Sequence, residues 1–269
     1  MPGALRSREH FEVRCYPLRA RSLKRSAPGF HPHASTCDAS FHHIDSILSY
    51  CQDPVMADPM ATRDVHLLVL DTLADWEPGF AIAHINAPAP GVPARYRVRA
   101  VGLGRRPIRT KGGLQVVPDL DLTEVRPAES AMLLLPGADF WGDPSTDPAL
   151  EKAREFVEAG VPVAAICGAT FGLARAGLLD DRRHTSNDKG FLATSGYRGA
   201  AHYVEEPAVE DRGVITAAAA APLDFARLVL ARLEVFPKAA LDAWYGLYTT
   251  RDPACYYAFV QALGQSAPA

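Results

Sequence analysis

Long apolar runs are missing from this 269-residue chain. None approaches the roughly 18 residues that a membrane-crossing helix requires, and the Arg-rich start is not followed by the apolar stretch of a secretion signal. An excess of positive charge is missing too. Lys plus Arg total 28 against 31 Asp plus Glu, a formal net charge of −3, so no cationic surplus is available to hold a nucleic acid or an anionic membrane. The five cysteines, Cys15, Cys37, Cys51, Cys167 and Cys255, are an odd number without a CxxC pair. That excludes an evident disulfide framework and points to reduced thiols in the cytoplasm. Phosphate-loop and dinucleotide fingerprints are absent, as are clusters with metal-ligand spacing, so neither a cofactor nor a metal is expected. What is present is a composition 48% hydrophobic and 22% charged, suited to one large globular domain or one plus an extension.

Residues 1–60 have a different texture from the remainder. They hold five of the nine histidines and three of the five cysteines, yet show no sustained helical or strand period. Such a segment buries little and is expected to be a disordered extension, and its His and Cys spacings match no common ligand set. An organelle-targeting peptide competes with a simpler idea: Met56 and Met60 stand just before the first strong strand, so translation is a candidate to start there.

From Val65 the pattern becomes regular. Val65–Leu70 reads as a buried strand, followed by a helix around Trp76–Asn86. Tyr96–Leu103 alternates like an edge-type strand, and Ala131–Leu135 is continuously apolar like a central one. Asp147-Pro148 offers an N-cap and a first-turn proline for a helix over 149–159 that Gly160 closes. A strand at Val161–Ile166, a helix near Ala169–Ala176, and strands at Arg183–Ser186, Tyr203–Val209 and Val214–Ala218 follow. Pro222 opens an amphipathic helix to Leu233. Residues 237–264 suit one or two terminal helices, whose Trp244, Tyr245, Tyr248, Tyr256 and Tyr257 read as packing or dimer surface. Strands alternating with helices imply an α/β fold, a mostly parallel sheet between two helical layers with right-handed crossovers.

The sharpest chemical signal is Val163-Ala164-Ala165-Ile166-Cys167-Gly168-Ala169-Thr170. A buried strand ending in Cys, small residues and then a helix makes a nucleophile elbow, placed where ligands bind at the carboxyl edge of an open sheet. The helix N-terminus behind Cys167 is expected to favour thiolate, and Gly168 to offer a backbone N–H to an oxyanion. A buried, inert Cys is the equally weighted alternative on these residues alone. Glu77, one short loop after the first strand, can reach the same edge, though a helix-supporting first-turn Glu is the simpler reading.

Taken together, Ala165-Ile166-Cys167-Gly168-Ala169-Thr170, Ala176-Gly177-Leu178-Leu179 and His184-Thr185-Ser186-Asn187 resemble the nucleophile segment of the DJ-1/PfpI superfamily of class I glutamine-amidotransferase-like proteins. Leu135-Pro136-Gly137-Ala138 resembles its Pro-Gly-Gly turn, and Val214-Ile215-Thr216-Ala217 with Pro222-Leu223-Asp224-Phe225-Ala226 its last strand and helix. The similarity spans about 65–236, and the bacterial intracellular protease/amidase subgroup is the nearest in pattern. It implies a flavodoxin-like three-layer α/β/α sandwich over 64–236, with residues 237–269 as a helical extension. It implies Cys167 as nucleophile, Glu77 as its acidic partner, and the backbone at Gly137, Ala138 and Gly168 as oxyanion site. It also implies a homodimer.

Departures from that pattern narrow the chemistry. Family peptidases carry His directly after the nucleophile, where this chain has Gly168. Asn187 stands where some relatives place a histidine, and the late His-x-Glu pair of amidotransferases is absent. His184 and His202 remain as possible bases, with His84 a weaker one. The expected function is therefore a cysteine-dependent enzyme acting on a small electrophile, of glyoxalase, deglycase or C–N hydrolase type. Proteolysis and glutaminase activity are disfavoured, since amide cleavage needs a proton donor for the leaving amine. The alternative is a non-catalytic oxidative-stress sensor or holding chaperone with an oxidisable Cys167. A transcription regulator is disfavoured by the lack of a basic helix-turn-helix segment after residue 236.

Overall fold

The computed structural model describes residues 62–89 and 91–264. The expectations for residues 1–60 lie outside the described residues. Within them, β1 (Arg63–Leu68), β2 (Tyr96–Gly102), β5 (Leu120–Asp121), β6 (Ser130–Leu135), β7 (Val163–Ile166), β8 (Ala208–Asp211) and β9 (Val214–Ala217) form one seven-stranded sheet, while β3 (Ile108–Arg109) and β4 (Gln115–Val116) form a separate hairpin. The order is β5-β2-β1-β6-β7-β9-β8, every neighbouring pair being parallel except β8–β9. The five strands β2-β1-β6-β7-β9 thus follow the flavodoxin-like order, with the reversal between β1 and β6.

Strand alternation sends side chains to two cores. Val65, Leu67, Met132, Leu134, Ala164 and Ile166 face one layer, where α1 (Trp76–Asn86), α5 (Pro222–Arg232) and α6 (Lys238–Thr250) supply Ile85, Phe225, Val229 and Trp244. Leu68, Leu133, Leu135, Val163 and Ala165 face the other, covered by α2 (Asp147–Glu158) and α3 (Gly168–Arg175) through Leu150, Phe156 and Leu173. Each fully buried side chain of this size contributes about 1.5–3 kcal/mol. α7 (Pro253–Gly264) packs on α6, so two helices follow residue 237. Trp244 is buried in edge-to-face contact with Phe80, whereas Tyr256 and Tyr257 are exposed.

The parallel α/β reading stands, with local corrections. Residues 183–186 form no strand: Thr185 N–H donates to the Thr216 side chain, and only a single bridge joins His184 to Tyr203. The following strand begins at Ala208 instead of Tyr203. Asp147 is the first helical residue of α2, and Thr146 occupies the N-cap. The β3–β4 hairpin, β5 and the short helix α4 (Lys189–Ala193) were not anticipated, being two to five residues long. Pieces that short show no period in a sequence.

Candidate active site

Three chain segments meet at the carboxyl ends of β1, β6 and β7. The first brings Glu77, in the first turn of α1, to complete burial. Its Oε2 accepts the Gly137 N–H at 2.6 Å, while Oε1 is buried with no hydrogen-bond partner. The second is the turn after β6. A Cβ on Gly137 would stand 2.6 Å from Glu77 Oε2 and 2.9 Å from Cys167 Cβ, so only glycine lets this turn pass between carboxylate and thiol.

The third segment is the elbow. Cys167 has φ +60° and ψ −125°, a conformation costing an L-residue on the order of 1–3 kcal/mol. Surrounding bonds hold it there. Its N–H donates to Ala217 O at 3.0 Å, and its carbonyl accepts Thr170 Oγ1 at 2.6 Å, Thr170 in turn lying 2.6 Å from Ser186 Oγ. The thiol is half-buried and free of any disulfide.

Asn187 completes the sulfur's surroundings. Its Nδ2 donates to Cys167 Sγ at 3.5 Å, and its Oδ1 accepts the Ala219 N–H at 2.8 Å. A backbone N–H requires an acceptor, so the amide cannot flip, and the NH₂ stays on the sulfur. An amide donates a hydrogen bond without releasing a proton.

The electrostatics run against the expected thiolate. Burial pushes the Cys167 thiol above its ordinary value, and the ionised Glu77 carboxylate adds to this, against the Asn187 and Gly168 N–H groups, which pull it down. Burial also raises Glu77, opposed by the Gly137 N–H, by Cys167 and by the Lys111 charge. The ordinary values are 4.5 for the carboxyl and 9.0 for the thiol, a gap of 4.5 pH units. Burial moves both groups upward from those values, which favours the proton on sulfur in the resting pair.

The other expected residues separate into those brought together and those kept apart. The N–H of Gly137 is taken by Glu77 and is not an oxyanion donor. Ala138, whose N–H has no hydrogen-bond partner among the described residues, lies beside Gly168: a Cβ there would be 3.7 Å from Ala138 N and 2.9 Å from Ala138 O. His184 is fully buried with Nδ1 on Arg182 O at 2.8 Å and Nε2 on Tyr197 Oη at 3.1 Å, so both ring nitrogens are engaged away from Cys167. His202 is exposed beside His184, in a short 3₁₀ turn. His84 packs against Trp244, whose indole N–H donates to its Nε2 at 3.0 Å. None of the three is bonded to Cys167. Asn187 was noted in the sequence only as a substitute for histidine, and its contact with the sulfur follows from the 184–187 segment crossing behind α3. Among the described residues no group of three or more His, Cys, Asp and Glu is placed to hold a metal, and no helix is long and apolar enough to cross a membrane.

Comparison with known proteins places this geometry in context. The model of the DJ-1/PfpI family matches residues 63–232. A Bacillus subtilis protein named as an uncharacterized protease, YoaZ, is 38% identical over 210 residues, covering 77% of this chain and all of the relative. A thiJ/pfpI family protein from Bacillus anthracis superposes with a TM-score of 0.70 at 37% identity, covering 75% of this chain and 97% of its own. A DJ-1 superfamily protein from Agrobacterium tumefaciens gives 0.63 at 29%, with 71% and 99% covered.

Proposed function

The chain belongs to the DJ-1/PfpI family, and from that premise we propose that it is a cysteine-dependent enzyme that adds the Cys167 thiol to a small carbonyl electrophile, with Glu77 as the base. The observation that supports this is Glu77 itself, a fully buried carboxylate in side-chain hydrogen-bonding contact with Cys167. As Sγ bonds to the carbonyl carbon, the C=O π pair moves onto oxygen and the S–H proton passes to Oε1. Ala138 N–H donates to the oxyanion, and Glu77 returns the proton to give a hemithioacetal; with an α-oxoaldehyde, Glu77 then moves the C1 proton to C2 to leave a 2-hydroxy thioester, which water hydrolyses to the 2-hydroxy acid, returning the thiol. Burial raises the carboxyl toward neutral pH, which suits a group that must both take and give a proton.

Peptide cleavage fits less well, although one relative is named as a protease. A side chain at Gly168, where peptidases of the family carry histidine, would meet Ala138 O at 2.9 Å and Trp141 Cδ1 at 3.0 Å. Asn187 cannot protonate a leaving amine. The redox-sensor reading ranks second, because oxidation begins from thiolate and this environment favours the thiol. The direct test is turnover of methylglyoxal by wild type, Cys167→Ser and Glu77→Gln. Loss of Cys167 is expected to abolish turnover and loss of Glu77 to lower kcat by about 10²–10⁴; a Glu77→Gln enzyme with unchanged kcat would overturn the assignment.

A further inference from the structure

One cation stands at the edge of this site without a role in the chemistry above. Lys111 lies at the tip of the β3–β4 hairpin, and that tip is fastened to the loop preceding Glu77. Thr72 N–H donates to Arg109 O at 2.8 Å, Lys111 N–H to Leu73 O at 2.9 Å, and Gly112 N–H to Asp75 Oδ2 at 2.6 Å. The same loop is tied to the turn after β6: Ala74 N–H donates to Gly137 O at 3.0 Å, and Asp139 N–H to Thr72 Oγ1 at 2.9 Å. Lys111 Nζ then reaches across to Asp139 Oδ1 at 2.6 Å. Asp139 is two residues beyond Gly137, whose backbone abuts Cys167, so its Cα is within roughly 7.6 Å of the Gly137 Cα. Asp75, Trp76, Gly112 and Leu114 line the open groove beside Lys111.

We propose that Lys111 selects the electrophile, favouring carbonyl compounds that carry a carboxylate, and that Asp139 holds the ammonium in place until such a carboxylate replaces it. This rests on the reading of Cys167 as the nucleophile and adds the substrate class. The Lys111 and Asp139 side chains are 39% and 54% exposed, so the exchange needs no desolvation of a buried pair: Asp139 turns to water while the ammonium keeps an anionic partner. The other nearby carboxylate, Asp75, is occupied on one oxygen by the Gly112 N–H.

Two alkylating reagents of nearly equal size separate this from any general effect on the thiol. Iodoacetate is an anion and iodoacetamide is neutral. With either, Sγ bonds to the methylene carbon and iodide departs. The ratio of their rates at Cys167, read by peptide mass spectrometry at about pH 9, cancels changes in thiol ionisation. Lys111→Met is expected to lower the iodoacetate-to-iodoacetamide ratio about five-fold at low salt, and Asp139→Asn to raise it. A ratio unchanged in Lys111→Met would overturn the proposal, whatever Asp139→Asn does. Failure of Cys167 to react with either reagent would instead overturn the nucleophile reading on which it rests.

Discussion

At Cys167 three neighbours, Glu77, Asn187 and Gly168, act on one proton, and the signs of the two side chains can be told apart by substitution. Asn187 Nδ2 donates to the sulfur and favours its charged form. Asn187→Ala removes that donor, so the pH profile of Cys167 alkylation is expected to move to higher pH; a profile that stays put would remove Asn187 from the site. Glu77 stabilises the fold in the opposite sense to an ordinary surface carboxylate. Burial raises its pKa in the folded state, so its contribution is fully present below the unfolded value of about 4.5 and is lost as pH rises through the folded one. At neutral pH the buried ion is a cost. Glu77→Gln is therefore expected to raise unfolding stability at pH 7 by about 1 kcal/mol in urea melts, while turnover falls. A destabilised Glu77→Gln would mean the carboxylate is a structural anchor.

At the scale of elements, the site depends on how closely the turn after β6 and the N-terminus of α3 approach one another. Gly168 sets that distance, since a Cβ would meet both Ala138 O and the Trp141 ring. Gly168→Ala is expected to cost about 1–3 kcal/mol and to slow Cys167 alkylation, because Ala138 must shift to make room. Full stability and full reactivity in that variant would contradict the packing described. The elements themselves were mostly legible. β6 from Ala131 onward and β7 are continuous apolar runs, and Gly160 and Gly177 end helices at φ +71° and +72°, as their positions suggested. The 183–186 segment is not a strand because Thr185 N–H donates to the Thr216 side chain and the His184 ring bonds Tyr197, in place of a ladder. Cys167 was legible from its place at the end of a recognisable strand, whereas Glu77 was named through the family resemblance, its position alone favouring a helix-supporting Glu. The loss of Gly137 N–H to Glu77 and the remoteness of His184 were not legible, because both depend on which atoms meet across more than fifty residues or on where a ring points inside the fold.

For the molecule as a whole, two buried histidines set a response to acid that the active site does not share. Burial lowers the pKa of His66, bonded to Ser130 Oγ at 2.9 Å, and of His184. The folded state keeps them neutral while the unfolded chain takes up protons near 6.5, so their contribution is fully present above that pH and is lost as pH falls through the folded values. Urea melts at pH 5.5 are expected to show lower stability than at pH 7.5, by on the order of 1 kcal/mol, against the smaller gain from Glu77. Equal or greater stability at pH 5.5 would place charged histidines in the fold.

The central proposal is that Cys167 rests as a thiol and Glu77 removes its proton during the reaction. The measurement that tests this most directly compares the pH dependence of Cys167 alkylation with the turnover of methylglyoxal in wild type and Glu77→Gln. The two are expected to diverge. Removing the carboxylate charge lowers the thiol pKa and speeds alkylation at neutral pH, while turnover collapses for want of a base. A wild-type thiol already saturated well below the ordinary 9.0, with alkylation and turnover falling together in Glu77→Gln, would contradict it and make Glu77 a donor to a standing thiolate.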